Sequence, residues 1–131
     1  MNSFEPIPPE DELFAKAVVD AAFQVHQALG PGLMESVYEA CLCHELAQRG
    51  IPFACQMALP LTYRGMRIEA GLRLDLLVGD RVVVELKAVE QVERIHKAQL
   101  LTYLRLSNRR LGLLINFNVT RIRDGVTRMV L

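Results

Sequence analysis

Long apolar runs are missing from this chain. No stretch approaches the roughly 18 residues that a bilayer-spanning helix needs, which argues against a membrane protein. Cysteine is scarce and odd in number: Cys41, Cys43 and Cys55 include no CxxC pair. That excludes a disulfide framework and a zinc site, and fits buried thiols in a reducing cytoplasm. Net charge is absent as well, since fifteen Lys and Arg balance fifteen Asp and Glu, a poor recommendation for a general nucleic-acid binder. The opening MNSFEPIPPEDEL is acidic and Pro-rich, unlike a secretory or transit peptide. There is no internal repeat and no low-complexity tract, and no Ser or Cys has a His and Asp companion that suggests a nucleophilic triad.

What is present suffices for one hydrophobic core: 131 residues, 51% of them apolar. The charge is unevenly spread. Residues 1–50 hold Lys16 and Arg49 against eight acids, while residues 51–131 hold thirteen basic side chains against seven acids. The second half can therefore present one positive face, although a solvated surface of mixed sign explains the same composition.

Residues 1–10, with Pro6, Pro8 and Pro9, read as a loose arm before a single domain over 11–131. Leu13, Ala17, Val18, Ala21, Val25 and Leu29 recur at helical spacing over 11–29, and Gly30-Pro31-Gly32 ends that helix. A second helix is expected over 34–48 with Val37, Cys41 and Leu42 inward, and a third over 94–107 on a spine of Ala98, Leu101 and Leu104. Strands are expected over 53–59, 61–68 and 111–117, the last buried on both faces. Asp124-Gly125 would turn a closing edge hairpin, 121–123 with 126–131, whose exposed edge could pair two copies. The order implies an α/β fold, a mixed central sheet flanked by helices.

The most informative stretch is LRLDLLVGDRVVVELKA, residues 72–88. Two strand-like runs flank Gly79-Asp80-Arg81, as in a β-hairpin. Leu72, Leu74, Leu76 and Val78 share one face of the first run, and Val82, Val84, Leu86 and Ala88 share one face of the second. Both can face one core only if the register pairs residues whose numbers sum to an even value, and a register centred on Asp80 would need a three-residue turn or a bulge. That register sets Asp75 opposite Glu85, and two carboxylates so placed repel. Protonation, a cation between them, or Lys87 and Arg73 nearby would resolve the conflict.

Glu85 and Lys87 leave the second run on one face; alone, such a pair is usually a wet-face ion pair. Glu35 and Glu39 share a face near the start of the second helix, where acids commonly complement the helix dipole. Gln99 and Tyr103 share a face of the third, the ordinary reading being a polar stripe. His26 and His44 read as packing or surface residues. His96 starts the third helix, where capping or a peripheral phosphate contact would suit it.

These groupings come in a familiar order. GLMESVY at 32–38, RLD at 73–75, ELK at 85–87 and QLLTY at 99–103, followed by LGLLINF and DGVTRMVL, closely resemble the GxxExxY proteins over nearly all the chain beyond the arm. That family is grouped with the PD-(D/E)xK nuclease superfamily, with its restriction-endonuclease-like core. The resemblance implies that Asp75 and Glu85 bind Mg²⁺ or Mn²⁺ with the Leu86 main-chain carbonyl. It implies that Lys87 orients the attacking water, that Glu35 completes the site through a water, and that Gln99 and Tyr103 stand beside it. One departure from the family pattern is Leu74, where a proline would precede the aspartate. Mg²⁺ suits such a site, since it needs only one or two carboxylates and keeps several waters. Arg73, His96 and Arg105 are candidates for substrate contact, and Arg64, Arg67, Arg109 and Arg110 could also hold a nucleic-acid backbone without reading its sequence. The function expected is metal-dependent hydrolysis of DNA or RNA in the cytoplasm. The alternative is an inactive nuclease-fold module that binds nucleic acid or a protein.

Overall fold

The computed structural model describes residues 5–69 and 71–131. Three helices, α1 (Pro9–Leu29), α2 (Glu35–Gln48) and α3 (Arg94–Ser107), accompany seven strands. These are β1 (Phe53–Ala58), β2 (Leu61–Tyr63), β3 (Met66–Ile68), β4 (Arg73–Val78), β5 (Val82–Lys87), β6 (Leu111–Asn116) and β7 (Val126–Val130). Five strands form one sheet in the order β1-β4-β5-β6-β7. Only β5 and β6 are parallel, because α3 carries the chain across between them. The architecture is the mixed, helix-flanked sheet that the sequence implies.

Strand parity divides the core between the two faces. Leu76, Val78, Val82, Val84, Leu86, Leu113 and Ile115 pack with α1 and α2. Leu77, Val83 and Leu114 pack on the other face with Leu100, Tyr103 and Leu104 of α3. All six residues of β6 are buried, as expected of a strand covered on both sides. The hairpin register is centred on Asp80: Val78 pairs with Val82, Leu77 with Val83 and Leu76 with Val84. Its three-residue turn uses positive φ at Gly79 (61°) and Asp80 (58°), and a Cβ on Gly79 would run into the Phe14 ring.

Several expectations need correction. Leu74 does not share the face of Leu76; it is buried in the α3-side cluster. Alternation breaks at Asp75, where the β1–β4 ladder also skips a rung. The buried stripe of α3 is Leu100, Tyr103 and Leu104, with Ala98 exposed. That of α2 is Tyr38, Leu42 and Leu46, with Val37 exposed. In both helices a tyrosine joins the core and turns the stripe away from the purely apolar reading. In α1, Leu13 and Leu29 are exposed while Ala15, Ala22 and His26 are buried. His26 Nε2 lies 2.8 Å from the Val119 carbonyl, a satisfied core histidine.

The run over 61–68 folds back on itself as a separate two-stranded sheet, with Arg64 (φ 47°) and Gly65 (φ 80°) in its turn. The closing hairpin does not form. Residues Ile122–Gly125 make a 3₁₀ turn, because Ile122 is buried and Gly125 sits against the Asn116 carbonyl with no room for a side chain. Residues 1–4 of the expected arm lie outside the described residues. The Glu5 and Pro6 carbonyls accept bonds from Arg110, and the chain is helical from Pro9. Cys55 is exposed rather than buried, and all three thiols are free.

Candidate active site

The β4–β5 ladder is regular from its turn to Leu76 and Val84, and then changes character. Instead of the next rung, the Leu86 N–H donates to Asp75 Oδ2 (2.8 Å) and the Asp75 N–H donates to Glu85 Oε1 (3.3 Å). The expected carboxylate pair is thus formed, each acid held by backbone of the opposite strand. Glu85 is 6% exposed and Asp75 half-buried. Burial first, and then the Asp75 charge, push the Glu85 carboxyl up to about 9. Protonation therefore resolves the conflict at neutral pH when no cation is bound. Lys87, half-buried two residues on, works in the opposite direction but does not prevail.

Two helices reach the pair. From α3, Tyr103 is 7% exposed, and its hydroxyl accepts a bond from Gln99 Nε2 at 2.9 Å. Burial, followed by the charges of Glu85 and Asp75, raises the Tyr103 pKa, so the phenol stays protonated beside them. From α2, Glu39 is the acid linked to Asp75 by side-chain hydrogen bonds. Gln56 Nε2 on β1 donates to Glu39 Oε1 (2.7 Å) and to Asp75 Oδ1 (3.3 Å), which links that helix to the site. Glu35 is exposed one turn earlier, at the start of α2.

The surrounding motif is largely structural. Tyr38 is fully buried and stacks on Phe117 with ring centroids 4.5 Å apart. Its hydroxyl donates to the Gly30 carbonyl (2.6 Å) and accepts from the Leu33 N–H (3.1 Å), closing the loop that launches α2. Gly32, at φ 101°, gives that loop its turn. On the far side of Lys87, buried Asn116 accepts from the Val89 N–H (3.1 Å) and donates to the Val89 carbonyl (2.9 Å), fixing the exit of β5.

The substrate-contact candidates fare differently. Arg73 lies at the site end of β4 and donates to the Gln56 carbonyl at 3.2 Å. His96 caps α3: its Nδ1 accepts from the Glu93 N–H at 2.9 Å. The open cavity beside it is lined by Glu90 and Glu93, unfavourable company for a phosphate. Arg105 bonds Thr102 on its own helix and lies about 200° around α3 from Tyr103, so it does not join the site.

Among the described residues, no group of three or more His, Cys, Asp or Glu side chains is gathered so as to hold a metal. The pair still suits a hard cation, because Mg²⁺ needs only one or two carboxylates and takes main-chain oxygens and water for the rest. A cation would also offset the burial and the Asp75 charge that together raise Glu85.

A family model described as the PD-(D/E)XK nuclease superfamily matches residues 12–129. The chain belongs to that superfamily. Comparison with curated proteins gives no match, and neither does comparison with solved structures. PD-(D/E)XK nucleases generally use divalent metals, consistent with a carboxylate pair beside a lysine. In this member, sequence reasoning missed Gln56 and Asn116 and gave Glu39 only a helix-dipole role. Gln56 carried no signal, since it lies in an ordinary strand pattern. The polar Asn116 inside LGLLINF was a visible clue.

Proposed function

We propose that this protein is a metal-dependent phosphodiesterase acting on DNA or RNA, a member of the GxxExxY branch of its superfamily. Asp75 and Glu85 would hold Mg²⁺ or Mn²⁺ with the Leu86 carbonyl. The observation that carries the reading is the carboxylate pair itself, held at the end of β5 with Glu85 kept protonated by burial and by Asp75. Without a cation the pair must hold a proton that an ordinary carboxyl would release, and a bound cation would take that proton's place.

Bound there, the metal would supply Lewis-acid polarisation of a phosphoryl oxygen. Lys87, two residues along the same strand, would orient the attacking water and offset charge on the phosphate. The neutral Tyr103 hydroxyl, held by Gln99, would donate a hydrogen bond toward the reacting group. Glu35 and Glu39 supply acids on the α2 side, and Glu39, joined to Asp75 through Gln56, is the better supported of the two. Arg73 would meet the backbone of a substrate without reading its sequence. The three free thiols suit a reducing cytoplasm.

The test is incubation of the purified protein with single- and double-stranded DNA and RNA, with and without Mg²⁺ or Mn²⁺, alongside calorimetric titration of each ion. Cleavage that requires the metal supports the proposal. Protein that neither cuts nor binds either ion would sink it, and protein that binds nucleic acid without cutting would favour the inactive module.

A further inference from the structure

Gln56 adopts a backbone conformation that suits glycine. Its φ is 49° in the interior of β1, where a residue with a Cβ gives up about 1–2 kcal/mol. The neighbouring rungs, Cys55 with Leu76 and Met57 with Leu74, are made, but the rung between Gln56 and Asp75 is not. The Gln56 carbonyl instead accepts a bond from Arg73 Nη1 at 3.2 Å. Its carboxamide donates to Glu39 Oε1 and to Asp75 Oδ1. Both partners are carboxylates, so the amide must present its NH₂ rather than its oxygen. The Leu86 N–H holds the other Asp75 oxygen. Asp75 is thereby fixed from both sides, by a peptide N–H of β5 and by one side chain of β1.

We propose that Gln56 is a positioning residue for Asp75. The left-handed turn of its backbone aims the carboxamide at the aspartate, fixes the carboxylate's orientation, and sets a donor between Asp75 and Glu39. The inference rests on the reading of Asp75 as a metal ligand, and it concerns how that ligand is held. Residues that orient metal ligands typically change affinity about 10- to 100-fold when removed.

Gln56→Gly separates the two roles of the residue. Glycine keeps the left-handed backbone without steric cost while removing the side chain that carries the carboxamide. Mn²⁺ affinity measured by calorimetry should fall about tenfold, while the melting temperature in EDTA holds or rises. In metal-free protein, hydrogen exchange at the Leu86 amide should become severalfold faster relative to the amides of Val82–Val84 on the same strand. Wild-type Mn²⁺ affinity in the variant would overturn the inference. Wild-type exchange at Leu86 would do so too, whether or not the parent protein binds Mn²⁺. A parent that binds no Mn²⁺ breaks the metal reading instead, and the exchange measurement then decides the role of Gln56 alone.

Discussion

The β4–β5 hairpin has two ends that treat acidic residues in opposite ways. At the turn, Asp80 meets Arg109 at 2.7 Å, and Arg81 meets Asp11 and Glu10 at 2.9 Å each. A cavity of about 500 Å³ lies there, lined by Arg81, Arg109 and Arg110, but the first two guanidiniums are engaged by carboxylates and the third by main-chain carbonyls. At the open end, Asp75, Glu85 and Glu39 are held by peptide N–H groups and the Gln56 amide. Those donors orient carboxylates without cancelling their charge, and Lys87 leaves Glu85 protonated. The turn end is electrostatically complete. The open end keeps a carboxylate pair that no side-chain cation neutralises, and the proposed chemistry is placed there although both ends carry acids.

The sharpest way to break this contrast is to disable each end in turn. Lys87→Ala and Asp75→Ala should each reduce metal-dependent cleavage by at least about 100-fold, measured under saturating Mn²⁺. Arg81→Ala should leave cleavage per folded molecule unchanged and lower the midpoint of urea melts. It strands Asp11, which is 5% exposed, but the Arg81 side chain is 40% exposed and solvent screens part of the loss. Equal loss of cleavage from both ends would erase the distinction.

A second contrast is in pH. Glu85 ordinarily titrates near 4.5 but holds its proton to about 9 in the folded chain. Between those values the folded state binds a proton that the unfolded state has released, so stability falls as pH rises through that window. Glu85→Gln should flatten the slope and raise stability at pH 8.5 by more than about 1.4 kcal/mol, the worth of one unit. Saturating Mn²⁺ should flatten it as well, since binding needs the ionised carboxylate. Urea melts at pH 5, 7 and 8.5 measure all three, and a wild-type slope that is level without metal would remove the charge conflict from the account.

The smallest effect concerns the scaffold. Tyr38→Phe keeps the stack on Phe117 and loses the two hydroxyl bonds, so about 1 kcal/mol of stability should go, read by thermal melting, with Mn²⁺ affinity unaltered.

Much of this was legible in advance because it depends on parity and spacing. The Asp80-centred register follows from two alternating runs, and it is what brings Asp75 to Glu85. The bounds of α3 follow from its period and its flanking polar residues. The break in alternation at Asp75 was not legible, because its cause lies across the sheet in the backbone of Gln56, nineteen residues away. Glu39 was hidden for the same reason: its partner is on another strand, whereas Glu35 stood out through a motif. The helix faces were misread wherever a tyrosine, apolar in body and polar at its tip, joined the core.

Tyr38 carries a last consequence. Two of the three residues that define the GxxExxY pattern, Gly32 and Tyr38, build a loop and its anchor. A relative that had abandoned all chemistry would still need both to fold this corner, so the pattern would outlive the activity. Among such relatives, the informative positions would be Lys87 and Asp75, on which the proposed chemistry depends.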